Sequence, residues 1–195
     1  MRRAFIERNT KETAITLTLN LDGTGKADVS SGVGFLNHML ELLAFHGQFD
    51  LALRCQGDTQ VDDHHSVEDI GIALGQAFSK ALGEKKGIAR YGNFLLPMDE
   101  ALVLCAVDFC GRDTLGYQVS IPTEKVGAFD TELVQEFMLG FTRNAKACLH
   151  FHQLAGTNTH HIIEAMFKGM GRAVRQAVAP DPALGDQTPS SKGLL

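Results

Sequence analysis

One polar pattern occurs twice in this 195-residue chain. His64-His65-x-x-Glu68 and His160-His161-x-x-Glu164 stand a constant 96 positions apart, about half the chain. Gly75 with Gly171, and Ala77 with Ala173, match in the same register. Self-similarity at a fixed period constrains architecture more than any local propensity. It predicts two halves of one kind lying side by side. Shared fold symmetry accounts for matching apolar positions. It does not account for a doubled His-His-Glu.

The flanking segments repeat as well. Before the first copy, residues 35–45 are apolar with helical periodicity and residues 49–56 read as a strand. Before the second, residues 132–147 read as a helix and 148–154 as a strand. Strand signals open each half. Residues 14–21 alternate through Ile15, Leu17, Leu19 and Leu21 before a turn at 22–25. Residues 88–96, 101–109 and 115–121 do the same in the second half. Strands, helix, strand, helix in each half imply a layered α/β (α+β) fold with helices on a sheet. The expected organisation is one catalytic domain over 1–195, made of tandem repeats at about 1–87 and 88–180. A Pro-, Ser- and Gly-rich tail at 181–195 reads as loop.

Charge and composition exclude several classes. The net charge is -5 and no long basic run occurs, which argues against nucleic acid as a partner. No stretch approaches the roughly 20 apolar residues that span a bilayer, and the N-terminus turns polar before a signal-peptide core could form. The four cysteines, at 55, 105, 110 and 148, are scattered without CxxC spacing. They read as reduced thiols of a cytoplasmic protein with no membrane association. An anionic ligand would need a local cluster of cations.

Residues three and four apart on a helix share a face, so His64 with Glu68, and His160 with Glu164, point the same way. Such spacings commonly present ligands to a metal. Adjacent histidines diverge by about 100° around a helix, which favours two ions over one. Facing helices could give each ion one histidine from each motif. His38, on the first apolar-periodic helix, and His150, in the strand before the second motif, bring the set to six His and two Glu. Divided evenly, each ion receives three His and one Glu, with two positions open in an octahedral sphere. Such a set suits Mn, Fe, Co, Ni or Zn. Lys168 lies four residues after Glu164 and projects from the same face, placing a cation beside the site.

The chain resembles the imidazoleglycerol-phosphate dehydratase family along nearly its whole length. The resemblance is carried by residues 8–13, 34–40, 46–51, 62–69, 90–92, 97–101, 108–112, 150–168 and 189–193. It implies small sheets each covered on one side by two helices, two Mn2+ per active site, and a homo-oligomer of 24 subunits with sites at subunit interfaces. It implies conversion of a phosphorylated imidazole substrate, imidazoleglycerol phosphate, to imidazoleacetol phosphate in histidine biosynthesis. By the same resemblance Glu12 becomes the candidate proton shuttle, and Arg90, Arg112, Ser190 and Lys192 join Lys168 in gripping phosphate. His46, Asp99 and Asp108, with Glu100, are candidates for supporting roles. Asn37 and His152 depart from the family pattern.

The proton that must leave the substrate is on carbon, with no adjacent carbonyl. Metal at both ring nitrogens would favour an imidazolate able to expel the neighbouring hydroxyl. Two other readings remain open at this point. One is a two-metal phosphate-ester hydrolase. The other is a metal-dependent scaffold or storage protein, in which the cationic residues would have no purpose.

Overall fold

The computed structural model describes residues 2–195. The N-terminal half runs β1 (Arg3–Asn9), β2 (Thr13–Asn20), β3 (Ala27–Ser30), α1 (Gly34–Gly47), β4 (Asp50–Gly57) and α2 (His64–Leu82). The C-terminal half runs β5 (Tyr91–Met98), β6 (Ala101–Asp108), β7 (Thr114–Gln118), α3 (Leu133–Ala145), β10 (Cys148–Ala155) and α4 (Thr159–Val178). Between β7 and α3 lies an added hairpin, β8 (Lys125–Val126) and β9 (Phe129–Asp130). Both sheets have the same topology. The strand orders are β1-β2-β4-β3 and β5-β6-β10-β7, with the last strand parallel to its neighbour and the others antiparallel.

Alternation in the strands sets the layers. Ile15, Leu17 and Leu19 of β2 are fully buried while Thr16 and Thr18 face out. Leu149 and Phe151 of β10 are buried while His150 and His152 face out. Helices α1 and α2 cover the inner face of the first sheet, and α3 and α4 that of the second. The helix layers then meet across the middle, α2 on α3 and α1 on α4. Large side chains such as Phe49, Phe78, Phe137, Phe141 and Phe167 fill this core.

The two glycines matched in the repeat explain that crossing. A Cβ on Gly75 would stand 2.5 Å from the Phe141 carbonyl oxygen, and one on Gly171 would stand 2.7 Å from that of Leu43. Both helix pairs therefore approach backbone to backbone, which only glycine permits.

Some strand edges differ from the sequence expectation. β5 begins at Tyr91 and not at 88, because Arg90 takes a positive φ of 71° and breaks the extended run. β7 ends at Gln118, short of 121. β1, β3 and the β8–β9 hairpin were not anticipated: β1 carries Arg3, Glu7 and Arg8, and the others are very short. Residues 181–195 form turns. Among the described residues no helix is long and apolar enough to cross a membrane.

Candidate metal centre

Both motifs open their helices. Asn158 caps α4 by accepting from the His161 backbone N–H, whereas the Asp63 side chain makes no such bond at the start of α2, where the His64 N–H donates to Asp62 Oδ1 just before the helix. The paired rings diverge identically. Ring centroids of His64 and His65 lie 6.2 Å apart at 77°, and those of His160 and His161 lie 6.3 Å apart at 77°.

The second motif gathers a partial ligand set. His160 Nε2 is 3.1 Å from Glu164 Oε2, the i,i+4 pair expected from spacing. His38 of α1 brings its Nε2 to 3.8 Å from the same oxygen. Ligand atoms of all three lie within 4.8 Å of one another. Donors held ~2.0–2.2 Å from one ion would sit roughly 3–4 Å apart, so this arrangement fits a divalent cation with small adjustments. Its donor set of two imidazoles and one carboxylate suits a borderline transition metal. Lys168 Nζ ion-pairs with Glu164 Oε1 and lies 3.6 Å from Met98 Sδ. Burial pushes the Glu164 carboxyl up, but Lys168 and His160 outweigh it and hold the group below the ordinary carboxylate range.

The rest of the predicted ligand set is not gathered there. The motif helices do not face one another within the chain, because α2 packs on α3 and α4 on α1. Among the described residues no hydrogen bond or ion pair joins His64 to Glu68. His150 faces the outer side of the second sheet, its ring over Gly116, with the sheet between it and the helices. A cleft of about 550 Å³ is lined by His38 and His160 together with Asp63, the residue before His64, and by Phe35 and Phe129. That volume falls in the range that holds small ligands.

His65 and His161 each stand between two carboxylates. His65 Nδ1 lies 3.0 Å from Asp58 Oδ2, and its Nε2 lies 3.9 Å from Glu12 Oε1. His161 Nδ1 lies 2.7 Å from Glu100 Oε2, and its Nε2 lies 3.6 Å from Asp99 Oδ2. The Asp58 and Glu100 hydrogen bonds raise both imidazole pKa values. Glu100 also accepts from the Asn158 and Thr157 backbone N–H groups, and with His161 first among the causes its pKa falls to about 2. Glu12 and Glu100 occupy like places, each one residue before the second strand of its sheet. The Glu12 turn is tied to α2, since Thr13 Oγ1 donates to Asp69 Oδ2 at 2.5 Å and Arg8 pairs with Asp69 Oδ1 at 2.6 Å. Asp99 sits at φ 48°, a strained left-handed conformation in the tight β5–β6 turn.

Apart from Lys168, which lies on Glu164, the phosphate candidates form a separate corner. Arg90 spends Nε and Nη2 on Asp108, at 2.7 and 3.0 Å, and Nη1 on the Pro189 carbonyl at 2.9 Å. That bond pins the tail carrying Ser190 and Lys192, whose last residue, Leu195, lies on Gly111 beside Arg112. Arg112 and Lys192 are exposed. His46 hydrogen-bonds no candidate ligand. Among the described residues its Nδ1 is buried without a partner, and burial, then Arg172 and Lys168, lower its pKa. Asp58 escaped the sequence reading, because only the fold brings the end of β4 beside α2.

Residues 31–174 match the sequence profile described as imidazoleglycerol-phosphate dehydratase. The chain is similar to proteins of that name from Azotobacter vinelandii, 55% identical with 100% of this chain and 98% of the relative covered. It is equally similar to one from Ruegeria pomeroyi, 55% identical with 100% of both chains covered. The crystal structure of that enzyme from Staphylococcus aureus superposes with a TM-score of 0.83 at 40% identity, covering 91% of this chain and 99% of the other. One from Pyrococcus furiosus gives 0.84 at 36% identity, covering 97% and 100%.

Proposed function

Because the chain belongs to the imidazoleglycerol-phosphate dehydratase family, whose members are hydro-lyases, we propose that it dehydrates imidazoleglycerol phosphate to imidazoleacetol phosphate in histidine biosynthesis, using two divalent transition-metal ions, Mn2+ by preference. The observation that carries the metal reading is the His38, His160 and Glu164 cluster, with donors within 4.8 Å of one another. His64, His65, Glu68, His150 and His161 are assigned to complete the two coordination spheres. When bound at the substrate's ring nitrogens, the ions would supply Lewis acidity that favours loss of the ring N–H.

The chain's own residues account for the remaining work. Glu12, half exposed and 3.9 Å from His65 Nε2, can carry a proton to and from a substrate lying against His65. The Arg8–Asp69–Thr13 network keeps its turn in place. Arg90, Arg112, Lys168, Ser190 and Lys192 are assigned to the phosphate. Arg90 acts there chiefly by holding the tail against Asp108.

The complete site belongs to an assembly, for which the family suggests 24 subunits. His150 points away from the helices, so a coordination sphere that includes it draws its other ligands from another copy. The outer face of the second sheet supports such an interface, with exposed Leu95 paired across strands to Leu104. We assign the enzyme to the cytoplasm; among the described residues no helix is able to cross a membrane.

The test combines elemental analysis with product identification. About two Mn2+ per chain, lost with ketone formation in His64→Ala and His161→Ala, supports the proposal. Release of inorganic phosphate without a ketone would support the hydrolase reading instead. Stoichiometric metal with no turnover of any substrate would leave a scaffold. A substrate methylated on a ring nitrogen is expected not to react, and its turnover would sink the proposed proton loss.

A further inference from the structure

In both halves the second histidine of the motif is gripped at Nδ1 by a carboxylate. Asp58 lies 3.0 and 3.2 Å from His65 Nδ1, and Glu100 lies 2.7 Å from His161 Nδ1. The two carboxylates come from unrelated places. Asp58 directly follows β4, whereas Glu100 sits in the β5–β6 turn. Seven residues before His161, where the repeat would put a counterpart of Asp58, stands Leu154. The duplication therefore carries no shared Nδ1 partner: the counterpart of Glu100 is Glu12, which stands on the Nε2 side of His65, yet both halves arrive at the same contact.

An ionised carboxylate only accepts hydrogen bonds. A neutral imidazole facing one must carry its hydrogen on Nδ1, which leaves the Nε2 lone pair free. Each freed Nε2 looks toward a further carboxylate, Glu12 at 3.9 Å and Asp99 at 3.6 Å. That surrounding favours a cation at Nε2. Among the described residues neither His64 nor His160 has such a grip on Nδ1, and His160 turns its Nε2 to Glu164.

We infer that Asp58 and Glu100 are positioning residues, one for each half, which fix His65 and His161 in the tautomer and orientation that offer Nε2 to a metal. The inference rests on the two-metal reading above. Partners of this kind orient ligands and raise their basicity, and their loss typically costs about 10–100-fold in metal affinity.

The two residues differ in what else they do. Among the described residues the Asp58 carboxylate makes no hydrogen bond except that to His65. Glu100 also accepts from the Thr157 and Asn158 N–H groups at 3.1 and 2.7 Å, so it anchors the start of α4. Asp58 is therefore the cleaner test.

The assembled enzyme, stripped of metal, is titrated with Mn2+ alone. Asp58→Ala is expected to weaken binding about 10–100-fold while the metal-free melting temperature stays nearly unchanged. In a His65→Ala background it should add nothing, since it acts only through that ring. Asp58→Asn keeps the shape without the charge and should fall between, which also guards against a poorly folded alanine variant. Glu100→Gln should lose less affinity than Glu100→Ala. If the wild-type protein binds stoichiometric Mn2+ and the Asp58 and Glu100 variants bind it as tightly, the inference is wrong and the two-metal reading stands. If the wild-type protein binds none, both fall together.

Discussion

The two halves share a topology but not a state of assembly. In the C-terminal half, His160 and Glu164 already meet each other and His38 of α1, and Lys168 is folded onto Glu164. In the N-terminal half, His64 and Glu68 make no such contact, although the paired rings diverge at the same 77°. The reason lies in what packs beside each motif. α4 lies on α1, which supplies a histidine, while α2 lies on α3, which has none. Duplication can preserve ligand spacing on a helix, but neighbours decide whether those ligands converge. The outer sheet faces differ in the same way. The first shows Thr16, Thr18 and Arg54 around one large apolar side chain, Phe5, whereas the second shows Leu95, Leu104 and Tyr91.

The largest expected break in this comparison comes from removing a ligand. Glu164→Ala should lower kcat/KM by more than about 100-fold, beyond the usual loss from an outer partner, and reduce bound metal. Glu68→Ala should do the same if the N-terminal motif joins a site in another copy. Full metal content in that variant would show the two motifs to be unequal in function as well as in packing.

A second contrast concerns the sheets. If the outer face of the second sheet is the proposed contact, Leu104→Lys should dissociate the assembly, because a charge would be buried there, while Thr18→Lys should leave its size unchanged. Light scattering after size-exclusion separation distinguishes these outcomes. A third tests the symmetry directly. Gly75→Ala and Gly171→Ala each drive a Cβ against a carbonyl oxygen, and each should cost about 1–3 kcal/mol by thermal unfolding. A large difference between them would show that the two crossings are not equivalent.

The smallest effect is on pH dependence of the metal-free protein. Asp58 and Glu100 raise the pKa of His65 and His161 above the ordinary 6.5. Their contribution is complete below that value and fades as pH rises through the raised pKa. The lowered Glu100 carboxyl behaves oppositely, stabilising above its ordinary 4.5 and failing as pH falls toward about 2. Stability should therefore decline on both sides of mildly acidic pH. Asp58→Asn should flatten only the alkaline limb, and Glu100→Gln both.

Much of the fold was legible in the sequence because its cues are local. The alternation Ile15, Leu17, Leu19 marks a half-buried strand, and the four-residue spacing of His160 and Glu164 places both on one face. The edge strand β1 was not legible, since Arg3, Glu7 and Arg8 mask its alternation. Nor was β3, which is only four residues long. In the site, the pairing of His160 with Glu164 followed from spacing, but the approach of His38 needed the α1–α4 crossing. The grip of Asp58 on His65 depends on where β4 ends relative to α2, which no local pattern encodes.

On the proposed function, the two motifs complete one active site only between copies of the chain. Subunit mixing distinguishes this from a site within one chain. His64→Ala and His160→Ala proteins, each nearly inactive alone, are co-refolded and assayed for ketone formation. If α2 of one subunit serves α4 of another, some sites receive both intact motifs, and activity should return to about a quarter of wild type in a symmetric assembly. Mixed assemblies of the correct size that remain as inactive as either parent would contradict the account and place each site within a single chain.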